Sequence, residues 1–186
     1  LASGSACRSL FGGFATWGDI SDEFASPLEV HPEMKKLKDT VLVISDKEKS
    51  VSSRHGHARM LEHPFKDARF AQAKLNYQTM KSALITGDIE VTGKILENEA
   101  LTLHALMMTS PDSYTLLKPN TLAAIEKITL FRHETGLPLY FTLDAGPNLH
   151  LIHPESMKIA QFIKAELNSL CEKVILDEVG LGPIKW

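Results

Sequence analysis

The chain has 186 residues, of which 44% are hydrophobic and 23% are charged, a composition typical of a soluble globular protein with one substantial core or two small lobes. Its formal net charge of -3 argues against general binding to nucleic acid or to an anionic membrane, so an anionic ligand would have to be bound by local cations. The two cysteines have no metal-type spacing, and we find neither a signal peptide nor an apolar run as long as a membrane span, which together favour a cytoplasmic location.

The first predicted element is a short helix that begins near Ser5, a good N-cap residue, and carries Arg8 in its first turn. Free N–H groups, small hydroxyls and an Arg suit a phosphate or a carboxylate, although an ordinary capped helix with an exposed Arg is the simpler interpretation of this motif alone. Residues 14–17 are expected to form a short strand. Because the chain starts at Leu1, inside a glycine-serine loop, we expect a fragment or a processed product of a longer protein.

Residues 18–39 are polar and contain two prolines, which predicts a surface loop with solvated lysines. Residues 41–44 are uniformly apolar and predict a fully buried strand. Residues 51–57 combine two hydroxyls, Arg54 and a glycine, which makes a second plausible anion cradle, although in isolation they would be taken for a loop.

Three helices are predicted next, each from apolar residues that recur at spacings of three and four. The expected buried stripes are Phe70, Ala73, Tyr77, Met80 and Leu84 in the first helix, Leu96, Ala100, Leu103 and Met107 in the second, and Leu122, Ile125, Ile128 and Phe131 in the third. Stripes of this kind are core far more often than they are cofactor sites.

Residues 139–143 alternate with period two and predict a half-buried strand that ends at Asp144. Residues 146–148, Gly-Pro-Asn, then force a sharp turn, so Asp144 is held between a strand and a stiff turn. An isolated strand-end Asp more often merely starts a turn. A partner strand at 149–152, a helix from about Pro154 and a last strand at 174–176 complete the predicted elements.

Three polar stretches, residues 3–13, 51–54 and 144–148, together resemble the diphosphomevalonate decarboxylases of the GHMP kinase superfamily. The weaker stretches 104–107 and 179–183 agree, so the resemblance covers essentially the whole chain. It implies an α+β, two-lobed fold with a partial N-terminal lobe at residues 1–50 and, at 51–186, a C-terminal lobe of antiparallel strands backed by helices. The substrate cleft would lie between the lobes.

The resemblance implies the ATP-dependent conversion of mevalonate 5-diphosphate to isopentenyl diphosphate, with ATP and Mg2+ as cofactors and a possible homodimer, and the composition predicts no nucleic-acid or membrane partner. Asp144 matches the family's catalytic Asp, and Arg8 matches the Arg that binds the substrate carboxylate. The positions that match further contacts to carboxylate, phosphate or diphosphate groups are Ser3, Ser5, Ser53 and Arg54, with Ser52 as a further candidate phosphate contact.

The chemistry of these residue types fits that reaction. A carboxylate near a tertiary hydroxyl can orient it and act as its base during phosphoryl transfer, which otherwise depends mostly on positioning and charge stabilisation. The planar fork of Arg8 can bind a carboxylate in two places and so fix the C–C bond that must break.

Several alternatives stay open. The pairs His55/His57 and His150/His153 invite a zinc interpretation, but no third ligand is close in sequence, so we predict no metal site. A mevalonate-type kinase that releases no CO2, a decarboxylase of the monophosphate and a non-catalytic module of the same fold are the other candidate functions. The ATP-cradling loop of the superfamily would lie before Leu1, so we expect the chain alone to be inactive.

Overall fold

The structure, a computed structural model, describes residues 6–19, 21, 23–47 and 61–183. Seven residues singled out in the sequence lie outside these ranges: Ser3, Ser5, Ser52, Ser53, Arg54, His55 and His57. Within the described ranges, every helix is too short or too polar to span a bilayer.

The N-terminal segment contains a short 3-10 helix, Ala6–Leu10, and two strands, β1 (Phe14–Trp17) and β2 (Ala25–Leu28), which pair antiparallel. The predicted surface loop over residues 18–39 is therefore wrong in part, because it contains β2, a second 3-10 helix at Met34–Lys36 and the start of the next strand. These elements are too short to give a periodic pattern. Met34, only 1% exposed, is nevertheless one of the most deeply buried side chains.

A four-stranded antiparallel sheet forms the centre of the fold. Its strands are β3 (Lys38–Val43), β4 (Tyr140–Thr142), β5 (Leu149–His153) and β6 (Lys173–Glu178), in the order β4-β5-β3-β6. The prediction of a fully buried strand is wrong for β3. Within it, Thr40 and Leu42 are buried, whereas Val41 and Val43 are only half-buried, because only one face of the sheet packs on the main core.

The three predicted long helices are confirmed as α1 (Lys66–Thr86), α2 (Ile89–Thr109) and α3 (Pro119–Thr135). A fourth, α4 (Met157–Phe162), continues through a π turn at Ile163–Leu167 and a 3-10 turn at Asn168–Leu170.

Two of the predicted stripes are partly wrong. Phe70 of α1 is 51% exposed, and in α3 the inward face carries Thr121 and Ala124 while Leu122 is 54% exposed. In α3 the inward position 121 is taken by a threonine that hydrogen-bonds a neighbouring loop, which an apolar pattern cannot reveal.

The main core lies between the sheet and the helices α3 and α4. Leu42, Phe141 and Leu151 extend from the sheet, and Ile128 and Ile159 extend from the helices, all of them less than 2% exposed. Burying side chains of this size contributes about 1.5–3 kcal/mol each. The strand that precedes Asp144 is therefore anchored in the main core.

The proposed division into residues 1–50 and 51–186 stays a prediction. β3, which that division assigns to the first unit, lies between β5 and β6 and pairs with both.

Candidate active site

Asp144 lies two residues after the end of β4, at the edge of the buried core. Leu139, Phe141 and Leu143 are buried as the alternating pattern predicts, and Thr142 on the opposite face is half-buried. Tyr140 departs from the pattern, being 4% exposed, because its ring packs directly on Gly93 of α2. Asp144 itself is exposed, and within the described residues its carboxylate has no hydrogen-bond or ion-pair partner. An exposed carboxylate thus follows a strand that is anchored in the core.

The main chain of Asp144 is held by His104 of α2. The His104 Nε2 lies 3.1 Å from the Asp144 carbonyl oxygen, and because a carbonyl only accepts, Nε2 carries the proton and donates. His104 is 2% exposed, and this burial lowers its pKa, so the imidazole is neutral at pH 7. We therefore identify His104 as a positioning residue for Asp144.

The turn after Asp144 is fixed at three further points. The Gly146 amide donates to the Asp144 carbonyl at 2.7 Å, and the buried Thr121 hydroxyl of α3 donates to the Pro147 carbonyl at 2.8 Å. The Asn148 side-chain oxygen accepts from the Ser45 amide at 3.1 Å. The predicted stiff turn is confirmed, and its rigidity comes from α2, α3 and the segment after β3 as well as from Gly and Pro.

An ion pair fixes the beginning of β4. Glu97 of α2 and Arg132 of α3 form two parallel hydrogen bonds of 2.7 and 2.9 Å, and Arg132 also donates to the Leu139 carbonyl at 2.6 Å. The Phe141 amide donates to Glu97 at 3.3 Å. Burial raises the pKa of Glu97 despite this partner, which indicates a desolvated pair. Both ends of the strand that leads to Asp144 are therefore tied to the same two helices.

Arg8 lies in the 3-10 helix Ala6–Leu10 and is exposed. The segment behind it is tied to the chain after β6, since the Gly13 amide donates to the Gly180 carbonyl at 2.8 Å and Gly12 packs against the backbone of Leu181. The role assigned to Arg8 stays a prediction, as do those of Ser3, Ser5, Ser52, Ser53 and Arg54, which lie outside the described residues.

Sequence reasoning missed the contact between His104 and Asp144. The two residues are forty positions apart in the chain, so only the place of His104 in the weaker matching stretch 104–107 could have drawn attention to it. His150 and His153 were considered as a metal pair, but residues three apart in a strand point to opposite faces. His150 bonds Asp39, whereas the buried His153 bonds Thr40, so the two rings do not converge.

The fold defines a class of protein. An antiparallel sheet backed by helices is an α+β arrangement, and solved mevalonate diphosphate decarboxylases, which have a GHMP kinase-like fold, superpose on it. Residues 40–179 match the model of the mevalonate 5-diphosphate decarboxylase C-terminal domain, and the chain belongs to this family.

Two solved structures illustrate the similarity. Mevalonate pyrophosphate decarboxylase from Streptococcus pyogenes superposes with a TM-score of 0.83 at 29% identity, over 99% of this chain and 56% of that one. The complex of MDDEF with MVAPP, AMPPCP and magnesium gives a TM-score of 0.83 at 32% identity, over 97% of this chain and 56% of that one.

Curated relatives agree with this assignment. The diphosphomevalonate decarboxylase of Saccharomyces cerevisiae is 29% identical over 173 residues, which cover 87% of this chain and 43% of the relative. The phosphomevalonate decarboxylase of Haloferax volcanii is 24% identical over 150 residues, which cover 80% of this chain and 46% of the relative. The chain thus spans about half the length of the curated relatives it matches.

Proposed function

We propose that the protein containing this chain catalyses the ATP-dependent decarboxylation of mevalonate 5-diphosphate to isopentenyl diphosphate, a step of isoprenoid biosynthesis. The observation that carries the proposal is the exposed Asp144 carboxylate at the end of β4, with its main chain held by His104. Membership in the decarboxylase family supports the reaction class.

In this reaction Asp144 orients the tertiary 3-hydroxyl group and accepts its proton while the phosphoryl group is transferred. A carboxylate in a fixed position needs little reorganisation when the reaction occurs, and the anchoring of the turn to α2 and α3 supplies that fixity. The same negative charge can stabilise positive charge that develops at C3 as phosphate leaves.

Arg8 binds the substrate carboxylate and so orients the bond that breaks, while hydroxyls and a second cation hold the anionic groups. The residues proposed for carboxylate, phosphate and diphosphate contacts are Ser3, Ser5, Ser52, Ser53 and Arg54. Arg8 and Asp144 are expected to approach the substrate from opposite sides of a cleft between two lobes.

ATP and Mg2+ are the proposed cofactors, since the related MDDEF complex contains AMPPCP and magnesium. Among the described residues, no three His, Cys, Asp or Glu side chains come together to hold a metal ion.

A second candidate is the decarboxylation of the monophosphate, which the similarity to the Haloferax volcanii phosphomevalonate decarboxylase favours. The two candidates share Asp144 and differ in how many phosphate groups the cations must neutralise. A kinase that stops after phosphorylation, or a non-catalytic module, would release no CO2.

The direct test is to supply the full-length protein with ATP and either mevalonate 5-phosphate or mevalonate 5-diphosphate and to measure CO2 and ADP. We expect CO2 release with mevalonate 5-diphosphate. Any reaction of mevalonate 5-phosphate should be inhibited when the diphosphate is also present. ADP formation without CO2 would identify a kinase and overturn the proposal. CO2 release from the monophosphate alone would establish the second candidate.

We further propose that the 186 residues taken by themselves release no CO2 at a measurable rate, because positioning of the nucleotide makes up much of phosphoryl-transfer catalysis. Robust ATP-dependent turnover by the isolated chain would contradict this. A homodimer is proposed for the whole protein by the same resemblance, and a cytoplasmic location is proposed from its cysteine content.

A further inference from the structure

A histidine and an aspartate form a cross-strand pair on the less covered face of the sheet. The His150 Nδ1 of β5 lies 2.8 Å from the Asp39 Oδ2 of β3, and the two side chains are 38% and 31% exposed. The other oxygen, Asp39 Oδ1, is buried and has no hydrogen-bond partner among the described residues. The charge of Asp39 is therefore directed mainly at His150.

This pair lies at the end of β4 that leads to Asp144, and the Asp144 carboxylate is near enough to act on the His150 ring. His150 is paired directly with Thr142 of β4, two residues before Asp144, so the imidazole and Thr142 share one face of the sheet. Asp39 and Thr142 also line an open cavity of about 470 Å3, which α1 and α2 border with Met80 and Leu96. Asp39 therefore faces an accessible space, and the His150 side chain, which does not line this cavity, is 38% exposed rather than sealed in the core.

The charges around His150 favour its protonated form. The hydrogen bond to Asp39 raises the pKa of His150 above its ordinary value against the opposing effect of burial, and the carboxylates of Asp144 and Asp177 add to the increase. These three carboxylates, on β3, after β4 and on β6, are the charged groups that act on the ring. Asp39 occupies Nδ1, so Nε2 keeps its proton and, among the described residues, has no partner of its own.

We propose that His150 is a further substrate-binding residue: held by Asp39, it donates a hydrogen bond from Nε2–H to an anionic oxygen of the substrate that reacts at Asp144. The chemical class of the ligand group is a carboxylate or phosphoryl oxygen, to which a charged imidazole is a strong donor. This inference rests on the proposed function, because it assumes an anionic substrate beside Asp144.

A purely structural cross-strand ion pair predicts something different. Loss of such a pair, at this partial exposure, would change stability slightly and leave ligand affinity unchanged. A binding role makes affinity depend on the charge of residue 150 and on pH.

The test measures the binding of mevalonate 5-diphosphate to the full-length protein by calorimetry, at about pH 6 and about pH 9. For the wild type, affinity should decrease as pH rises and His150 loses its proton. His150→Gln should weaken binding about tenfold at the lower pH, and little at the higher pH, because only the protonated imidazole makes a charge-assisted bond. Asp39→Asn should shift the pH dependence of binding to lower pH.

His150→Lys and His133→Gln are the matched controls. Lysine keeps a positive charge across this range, so His150→Lys should retain affinity and lose the pH dependence. His133 is an exposed histidine at the end of α3, and its replacement should change neither quantity. All variants meet the same titration of the substrate phosphates, so that effect cancels in the comparison.

Equal affinity of the wild type and His150→Gln at both pH values would overturn the inference and leave the proposed function intact. If the protein binds mevalonate 5-diphosphate with the expected dependence on His150 but releases no CO2, the proposed function fails while the binding role of His150 stands.

Discussion

At the scale of single residues, the placement of Asp144 depends on a buried histidine. His104 is the one side chain of α2 that donates to the Asp144 carbonyl in the described part of the chain, and it makes this bond from a 2% exposed position. Without the imidazole the Asp144 carbonyl would lose this donor, which would change the backbone geometry at the carboxylate without touching a ligand.

We therefore expect His104→Leu to lower the free energy of unfolding by about 1–3 kcal/mol, because it removes a buried hydrogen bond of the Asp144 main chain. It should also lower kcat more than it raises KM, since the carboxylate is misplaced while the binding groups remain. Urea unfolding and steady-state kinetics measure both, with His133→Leu as an exposed control. Unchanged kcat in His104→Leu would contradict the positioning role.

Two buried histidines also predict how stability depends on pH. Burial lowers the pKa of His104 and of His153, so their contribution is fully present above the ordinary histidine pKa of about 6.5 and is lost as pH falls towards the folded-state values. His150, whose pKa is raised, has the opposite sign and adds stability below about pH 6.5.

Replacing both His104 and His153 with glutamine should therefore reduce the loss of unfolding free energy between about pH 7.5 and about pH 5.5. The comparison is between the pH slopes of the wild type and the double variant, since the variant is also less stable at every pH. If unfolding free energy falls as steeply with pH in the double variant as in the wild type, groups other than His104 and His153 cause the loss of stability in acid.

At the scale of elements, α2 and β4 approach as closely as they do because Gly93 has no side chain. A Cβ atom at this position would lie 2.0 Å from the Tyr140 ring, which is itself 4% exposed and stacks under the Arg132 guanidinium at 4.6 Å from its centre. The glycine lets the helix that carries His104 and Glu97 lie directly on the strand that leads to Asp144.

Gly93→Ala should destabilise the protein, because the Tyr140 ring cannot move away without disturbing a packed core, and such overpacking costs about 1–3 kcal/mol or more. We expect this cost to exceed the gain in helix propensity of about 1 kcal/mol that alanine brings. Thermal unfolding measures the change. Gly93→Ala in combination with Tyr140→Leu, which removes the clashing ring, should recover part of the loss. An alanine variant as stable as the wild type would refute the close contact.

The elements differ in how well the sequence predicts them. The long helices, β1 and the strands around Asp144 follow from period and turn signals, and the structure confirms them. The sequence could not predict that α3 places Thr121 in the core, because this depends on a polar contact with a loop. Nor could it predict the pairing of β3 with β5 and β6, because these strands are more than a hundred residues away. For the same reason Asp144 could be singled out from its motif, but its contact with His104 could not.

At the scale of the whole molecule, the first described residues are held against the last by two glycines. Gly182 has a φ of 85°, and a Cβ atom there would lie 2.6 Å from the Gly12 nitrogen. This close approach positions the helix that carries Arg8 relative to the segment after β6.

Gly182→Ala should therefore loosen residues 6–13 and speed amide hydrogen exchange in that segment by at least about tenfold, the equivalent of about 1.4 kcal/mol. Gly136→Ala is the matched control, because Gly136 also has a positive φ of 68° but has no atom within 4 Å of the added Cβ. Gly136→Ala should introduce only backbone strain and leave amide hydrogen exchange near Arg8 unchanged. Equal exchange in the two variants would contradict a role for the glycine contact.

The central claim is that Asp144 is the catalytic carboxylate, and the most direct measurement is CO2 release by Asp144→Asn in the full-length protein together with its affinity for mevalonate 5-diphosphate. We expect turnover to fall by about 10²–10⁴-fold, the usual contribution of a general base, with affinity nearly unchanged. Asp67→Asn, an exposed carboxylate in the first turn of α1, should leave both unchanged. Near-normal turnover in Asp144→Asn would contradict the claim.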